Sequence, residues 1–289
     1  MLKPRYAVID LTNGTIEKYP ISEKTFELYI GGKSLAAKIL YDELKPGIDP
    51  LSTDNMFIVN TGPLNGTGAP ASSRFNITTK NVLTGGIASS NCVVIFPFQL
   101  RKAGFDGIII KGKASKPSYI EIIDGEITIK DASDLWGLDT EEIQHKFDKR
   151  YGALVIGTAG ENLVKYACAV SGERVAGRCG VGAVMGSKNL KALITYGTQK
   201  IPVNSPKEFK KYIQKWIRFL KNHPNTGKAL PMYGTAGLVH KCNASGILPT
   251  RNFKKGSWDK AEEISGEYLY ENYLTRNGGC VSCPIRCER

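Results

Sequence analysis

The segment from Ser171 to Ala192, SGERVAGRCGVGAVMGSKNLKA, packs five glycines into one short run and constrains the fold more than any other part of the chain. Glycine lets the backbone take left-handed conformations and approach another chain or a ligand closely. Arg174 and Arg178 in the same run add two guanidinium groups that suit phosphate or another anion. Two readings stay open for this block: an anion-binding loop built from backbone N–H groups, or a turn packed so tightly that side chains are excluded. Nucleotide-loop patterns do not fit it. Gly180-x-Gly182-x-x-x-Gly186 has one residue too many for the dinucleotide fingerprint, and Gly186-Ser187-Lys188 reverses the Lys-Ser order of a P-loop.

Around this block the first two hundred residues read as short strands punctuated by turns. Tyr6–Leu11 and Thr15–Tyr19 flank the hairpin signal Asn13-Gly14, and Tyr119–Ile123 and Glu126–Lys130 flank Asp124-Gly125. Strands are predicted at Met56–Asn60, Arg74–Thr79, Gly107–Lys111, Leu154–Gly157, Tyr166–Val170 and Ala192–Tyr196, and helices at Glu23–Tyr29, Ser34–Leu44 and Asp139–Tyr151. Thr61 to Asn91 reads as a loop-rich stretch around the strand at Arg74–Thr79, its glycines and prolines suggesting a binding surface. From Pro202 the character becomes helical. Ser205 is placed to cap a helix that begins Pro206-Lys207-Glu208 and repeats Phe209, Tyr212, Ile213, Trp216, Ile217 and Leu220 at helical spacing. Further helices are predicted at Gly234–Ala244 and Ser265–Tyr273. The expected fold class is α+β, with a sheet-rich domain over residues 1–201 and the start of a helical domain over 202–289. No internal repeat is visible.

Composition narrows the function classes. No apolar run approaches the ~18–20 residues of a membrane-spanning helix, and Met1-Leu2-Lys3-Pro4-Arg5-Tyr6 lacks the apolar stretch of a secretory signal. A cytoplasmic protein without a membrane partner is expected. The net charge of +12 is spread among acidic residues, as in Lys207-Glu208-Phe209-Lys210-Lys211, which fits a solvated surface or an acidic partner. No basic run interleaves with aromatics, so nucleic acid is not an expected partner. His145, His223 and His240 read as surface or structural residues, and Trp136, Trp216 and Trp258 as packing residues.

Seven cysteines divide into the singletons Cys92, Cys168, Cys179 and Cys242 and a terminal cluster, Cys280, Cys283 and Cys287. The singletons read as small buried hydrophobes, and the odd total argues against a secreted disulfide framework. In the cluster, Cys280-Val281-Ser282-Cys283-Pro284-Ile285-Arg286-Cys287 brings three thiols together on a backbone tightened by Gly278-Gly279 and Pro284. Such a run can hold three corners of a [4Fe–4S] cube, with a fourth ligand from elsewhere. Half of a zinc site and unliganded structural thiols remain alternatives.

Five blocks, in order, resemble one family. They are Thr61-Gly62-Pro63-Leu64-x-Gly66-Thr67-x-Ala69-Pro70, then Ser73-Arg74-Phe75-Asn76, Thr158-Ala159-Gly160-Glu161-Asn162, the block from Arg174 to Ala192, and the terminal C-x2-C-P-I-x-C. Together they are similar to the aldehyde:ferredoxin oxidoreductases, whose members run to roughly twice this length. The resemblance implies a sheet-built base on which a tungsten- or molybdenum-bis-pterin cofactor rests. Arg74 and Arg174 would meet pterin phosphates or ring edges, Asn91 would sit at a Mg2+ bridging the phosphates, and Val175 and Gly177 would contribute backbone groups. Val93 stands where relatives often carry glycine, so that contact would differ. Cys280, Cys283 and Cys287 would be three ligands of a [4Fe–4S] cluster. The implied activity is oxidation of aldehydes to carboxylates with electrons leaving to ferredoxin or another carrier, and some relatives instead reduce aromatic rings as coenzyme A thioesters. A non-catalytic pterin- or phosphate-binding scaffold is the rival reading. Because the family's remaining motifs lie beyond Arg289, the chain is expected to be a fragment or one subunit completed by a partner, inactive by itself. A homo-oligomer is left open.

Overall fold

The computed structural model describes residues 4–289, so the reading of Met1 to Lys3 lies outside the described residues. The chain divides into two units, one running to Gly68 and from Ser72 to Asn204, the other made of Ala69–Ala71 and Ser205–Arg289.

The first unit begins with a hairpin of β1 (Tyr6–Asp10) and β2 (Thr15–Tyr19). Asp10 Oδ1 organises its turn by accepting the Thr12 and Asn13 backbone N–H groups at 2.9 and 3.3 Å. Two helices follow, α1 (Glu23–Tyr29), capped by the Ser22 hydroxyl, and α2 (Gly32–Glu43). Then come β3 (Phe57–Thr61), β4 (Arg74–Lys80), β5 (Ile87–Val93), α3 (Phe96–Lys102) and β6 (Gly107–Lys111). The strands form a six-stranded sheet in the order β2-β1-β6-β3-β4-β5, in which β1 and β6 run parallel and the other neighbours antiparallel.

The same plan then recurs. It runs β7 (Ser118–Ile123), β8 (Glu126–Asp131), α4 (Thr140–His145), β9 (Gly152–Val155), α5 (Thr158–Glu161), β10 (Ala169–Ser171), β11 (Arg174–Ala176), α6 (Val181–Ser187) and β12 (Leu190–Tyr196). These strands make a second six-stranded sheet ordered β8-β7-β12-β9-β10-β11, again with its first and last strands, β7 and β12, as the parallel pair. A hairpin, a parallel return strand and a three-strand antiparallel extension therefore occur twice. No internal repeat is visible in the sequence, yet the strand pairing repeats.

Alternation along the strands builds three apolar layers. Ile9, Phe57, Val59, Phe75, Ile77 and Ile108 of the first sheet and Ile120, Ile122, Leu154 and Leu193 of the second meet in one shared core with Phe96, Leu100, Val184 and Met185 from α3 and α6. The opposite face of the first sheet, Tyr6, Ile58 and Ile109, is covered by Leu35, Ala36, Ile39 and Leu40 of α2. Val155, Ala192 and Ile194 on the second sheet pack under Ile143 of α4.

Several elements depart from the expected bounds. The stretch read as loop up to Asn91 contains β5, in which the polar run Ser89-Ser90-Asn91 spans both faces and so breaks any apolar alternation. The helix expected from Asp139 to Tyr151 stops at His145, because the Asp148 carboxylate accepts the Arg150 backbone N–H at 2.8 Å and pairs with its guanidinium, a local turn that competes with helix. The strand expected at Tyr166–Val170 starts at Ala169, and the glycine-rich block contains the helix α6.

The second unit is built from α7 (Pro206–Asn222), a π-helical turn (Asn225–Ala229), α8 (Leu230–Tyr233), a 3-10 turn (Gly234–Leu238), α9 (Val239–Ala244) and α10 (Gly266–Asn272). Ser265 caps α10 by accepting the Tyr268 N–H at 3.0 Å, whereas Ser205 makes no such bond to α7. The helix expected at Gly234–Ala244 splits into the 3-10 turn and α9. Two sheets with flanking helices make the fold α+β, and among the described residues no helix is long and apolar enough to cross a membrane.

Candidate functional site

Arg74 opens β4 and pairs in register with Val93 at the end of β5; two residues further along, Asn76 lies opposite Asn91. Because Phe75, Ile77 and Cys92 point into the shared core, Asn76, Asn91 and Val93 occupy the other face. Arg74 and Asn91 are exposed, Val93 is half-buried and Asn76 is buried. β5 is an edge strand, and the β4–β5 turn is held by Asn81, whose Oδ1 accepts the Leu83 and Thr84 N–H groups at 2.9 and 3.3 Å.

The second sheet supplies the other residues from its own edge, β11. Ser171 pairs with Arg174 and Val170 with Val175 across the hairpin turn Gly172-Glu173, where Gly172 takes φ +57°. Gln144 on α4 clamps that turn, its Oε1 accepting the Gly172 N–H at 2.6 Å and its Nε2 donating to the Gly172 carbonyl at 3.4 Å. The edge strands β5 and β11 lie beside each other, tied by the Arg178 N–H, which donates to Ser90 Oγ at 3.2 Å. Burial pushes the Cys92 thiol up to about 11, while the Val93 backbone, Arg174 and Arg74 pull the other way. Both guanidinium groups thus lie within electrostatic reach of one core residue. Arg74, Asn91 and Val93 from one sheet and Arg174, Val175 and Gly177 from the other gather along this double edge. A cavity of about 700 Å³ adjoins it, lined in part by Ile95, Gln144, Phe147, Tyr151, Arg174 and Val175.

The glycine-rich block serves two ends. A Cβ on Gly182 would come within 2.8 Å of the Ala167 carbonyl carbon, and one on Gly186 within 2.6 Å of the Gly160 carbonyl carbon. Helices α5 and α6 therefore cross backbone to backbone, and Gly180, at φ +66°, sits equally close to the Lys165 carbonyl. Gly177 is different, since a Cβ there would meet only ordinary contacts, 3.5 Å to Val175 and 3.7 Å to Cys168. Positions 180–186, running from the Gly180 cap into α6, are packed against neighbouring backbone, and the exposed backbone near Gly172 and Gly177 is what remains for a ligand. The block's lysines face inward. Lys188 donates to the Asn55 and Gly112 carbonyls at 2.5 and 3.1 Å, and burial lowers it from 10.5 to about 8. Lys191 is ion-paired with Glu161, donates to the Leu138 carbonyl at 2.9 Å and lies 5.8 Å from the centre of the Trp136 ring.

The groups along the double edge are two guanidinium groups, an amide and backbone groups, while the carboxylates of Glu141, Asp148 and Glu173 line the adjoining cavity. That set suits phosphate oxygens together with a hard cation the phosphates bring, so these residues fit a pterin-phosphate and Mg2+ site. Arg178, read from the sequence as an anion-suited guanidinium, belongs to the same edge through its backbone N–H, and Asn76 lies beside it although the sequence did not single it out as a site residue. The signal available for Asn76 was a polar residue between Phe75 and Ile77 on an alternating strand.

In the second unit, Gly278 and Glu288 exchange backbone hydrogen bonds at 3.1 and 3.2 Å and close a loop that contains all three terminal cysteines. Within it the Cys283 N–H donates to the Cys280 carbonyl at 3.0 Å, and Ser282 and Arg286 take φ +59° and +49°. Cys280, Cys283 and Cys287 are half-buried. Among the described residues no group of three or more His, Cys, Asp or Glu side chains is arranged to hold a metal ion, so the thiols share one closed loop without converging on a point. A donor set of three thiols and no imidazole suits iron–sulfur ligation.

Comparison with known proteins places this geometry. The family model "Aldehyde ferredoxin oxidoreductase, N-terminal domain" matches residues 6–197, and the model for domains 2 and 3 of the same family matches residues 211–289. The tungsten-containing aldehyde ferredoxin oxidoreductase of Pyrococcus furiosus is 42% identical over 99% of this chain and 48% of its own length. An aliphatic sulfonate oxidoreductase, WOR-like subunit, from the same organism is 30% identical over 97% of this chain and 48% of its own. Among solved structures, the active site complex BamBC of benzoyl coenzyme A reductase with 1,5-dienoyl-CoA aligns with a TM-score of 0.82 and 30% identity, covering 98% of this chain and 46% of that one. The chain spans about half the length of the curated relatives it matches. With both family models matched in order along its length, the chain belongs to the aldehyde ferredoxin oxidoreductase family.

Proposed function

We propose that this chain is the cofactor-base part of an oxidoreductase that converts aldehydes to carboxylates on a tungsten- or molybdenum-bis-pterin cofactor and passes electrons through a [4Fe–4S] cluster to ferredoxin or another carrier. The observation that carries the reading is that β5, which pairs Asn91 and Val93 with Asn76 and Arg74 of β4, lies beside β11 of the other sheet, which begins at Arg174. Residues 1–201 form the base and 202–289 begin the helical part. Arg74 and Arg174 neutralise pterin phosphates. Asn91 would help hold a Mg2+ that accompanies the phosphates, and Val175 and Gly177 would offer backbone groups to the cofactor, with Val93 placing a side chain where relatives often carry glycine. Cys280, Cys283 and Cys287 bind three irons, the Gly278–Glu288 closure limiting how far the thiols spread. The bound metal would accept two electrons from the substrate and the cluster would release them one at a time. A net charge of +12 favours an acidic electron carrier over a basic one.

The test is anaerobic co-production of the chain with the polypeptide that matches the relatives' second half, followed by elemental analysis for tungsten, molybdenum, iron and zinc and an aldehyde oxidation assay. Retained tungsten or molybdenum that falls about tenfold or more in Arg74→Ala and Arg174→Ala supports the reading. Zinc in place of iron rejects the cluster, and metal content indifferent to both arginines rejects the cofactor base. A second reading, reduction of an aromatic ring held as a coenzyme A thioester, draws support from the benzoyl coenzyme A reductase likeness. Turnover of an aromatic acyl-CoA without turnover of aldehydes would select it.

A further inference from the structure

Three strand ends meet on the first sheet, where Tyr6 begins β1, Gly107 begins β6 and Asn60 of β3 lies opposite Gly107. A cavity of about 250 Å³ opens there, with apolar walls from Phe26, Ile30, Pro63 and Phe105. Ile30 takes its place in that wall at a cost. Its backbone has φ +64° and ψ −51°, and the Gly31 N–H donates to the Tyr29 carbonyl at 2.6 Å, which makes a γ-turn of the rare, strained form. A β-branched residue is disfavoured there, and Ile30 stays 60% exposed, so burial of its side chain does not offset the strain. Arg5, Tyr6, Arg101 and Asp106 supply the polar lining. Asp106 is satisfied at both oxygens, by its ion pair with Arg101 and by the Arg5 backbone N–H at 2.7 Å. The Arg5 guanidinium donates to Gln199 Oε1 at 3.3 Å and has no carboxylate partner among the described residues. Tyr6 is 3% exposed; its hydroxyl accepts the Asn60 Nδ2 at 3.4 Å, and among the described residues its own proton has no acceptor. Burial holds Tyr6 above the ordinary tyrosine range, so that proton stays in place. Asn60 Oδ1 is buried without a partner as well, and a folded interior seldom leaves such groups open.

We propose that this cavity binds a small organic acid, one carboxylate on a ring or short chain, whose charge meets Arg5 and the Tyr6 hydroxyl while its apolar body lies among Phe26, Ile30, Pro63 and Phe105. The volume is below the ~300–1,000 Å³ typical of sites for drug-sized molecules, so the occupant is small. A carboxylate only accepts hydrogen bonds, which suits the unpaired guanidinium and the unused phenolic proton. Phosphate would leave the apolar walls without a role and bring a second negative charge toward Asp106. An amine fails for the opposite reason, since Arg5 repels it. The strained Ile30 completes the wall, which gives its backbone cost a purpose that packing alone does not. The cavity is separated from β5 by β4, and the claim concerns binding alone, so it does not rest on the oxidoreductase reading.

The experiment titrates the purified chain with phenylacetate and with its neutral counterpart phenylacetamide, by calorimetry and ligand-observed NMR, and records the melting temperature of each variant. Phenylacetate should bind once per chain below about 1 mM and at least about tenfold tighter than the amide. Arg5→Leu, and Tyr6→Phe, which removes only the hydroxyl, should each weaken it about fivefold to tenfold. Ile30→Gly, which relieves the backbone, should keep or raise the melting temperature yet weaken phenylacetate several-fold. If Arg5→Leu does not fold, the other two variants decide. Equal binding of acid and amide, or phenylacetate binding unchanged in Tyr6→Phe, overturns the proposal and leaves the Tyr6 proton to a bound water. No saturable binding to the wild-type chain up to about 10 mM means that the cavity holds only water, and the proposal falls. It falls equally if Arg174→Ala abolishes binding while Arg5→Leu does not, because the acid then sits at the β5–β11 edge. None of these results bears on the oxidoreductase reading, whose test is metal content.

Discussion

On the outer face of the first sheet, α2 lays Leu35, Ala36, Ile39 and Leu40 against Tyr6, Ile58 and Ile109, an apolar seal with no charge in it. The second sheet has the same strand order but is finished with different chemistry. The register of β12 against β7 slips between Leu190 and Ala192, and Lys191 at that bulge turns to Glu161, with both side chains buried. Next to that pair, α5 and α6 touch through glycine backbones, and Lys188 is buried against the Asn55 and Gly112 carbonyls. Equal topology therefore does not imply equal fragility. An apolar seal loses stability in proportion to the volume removed, whereas a buried charge or a glycine crossing fails through a single atom.

The contrast can be broken at its strongest point first. Lys191→Met leaves the Glu161 carboxylate buried without its partner and should cost about 3–5 kcal/mol in urea unfolding, while the double variant Glu161→Gln with Lys191→Met should recover much of that loss. Equal costs for single and double variants would remove the claim that the buried pair behaves as a unit. In the first sheet, Leu35→Ala should cost about 2–5 kcal/mol by transfer and cavity terms, with no partner substitution that restores it.

Effects of intermediate size come from Lys188. Its value falls from 10.5 to about 8 in the folded chain because burial disfavours the ammonium. The folded state then binds fewer protons than the unfolded state between those values, so stability should rise as pH climbs from about 8 toward 10.5, by up to ~3 kcal/mol. Below about 8 the full burial cost is present. Melting temperatures measured from pH 7 to 10 should show this rise, and Lys188→Met should flatten it. At the small end, Gly186→Ala should cost about 1–3 kcal/mol because its Cβ meets the Gly160 backbone, whereas Gly177→Ala should stay within about 0.5 kcal/mol. A large loss at Gly177 would mean that the exposed half of the glycine block is packed as tightly as the rest.

The order of elements was largely readable, since Asn13-Gly14 and Asp124-Gly125 mark hairpins that the chain forms, the latter with φ +44° and +99°. Asp124-Gly125 needs left-handed backbone at both positions, which few residue pairs tolerate. β5 was not readable, because its polar run Ser89-Ser90-Asn91 spans both faces and breaks the apolar alternation. Of the candidate site, Arg74, Asn91 and Arg174 stood out through family resemblance. The buried amide of Asn76 did not, because nothing local in Ser73-Arg74-Phe75-Asn76 says which strand will lie alongside.

From the sequence by itself came the α+β class, the chemistry of the terminal thiols as a donor set, and the family to which the blocks point. Those properties live in residue identity and short spacing, which folding does not alter. Tertiary structure decided that the glycine-rich block is half packing and half surface, that its lysines are internal, and that two sheets share one plan. It also decided that Arg74 and Arg174, one hundred residues apart, start strands of two sheets whose edges β5 and β11 lie side by side. The reason is that strand pairing joins residues without regard to their distance along the chain, so a site built on two facing edges exists only once both sheets have formed.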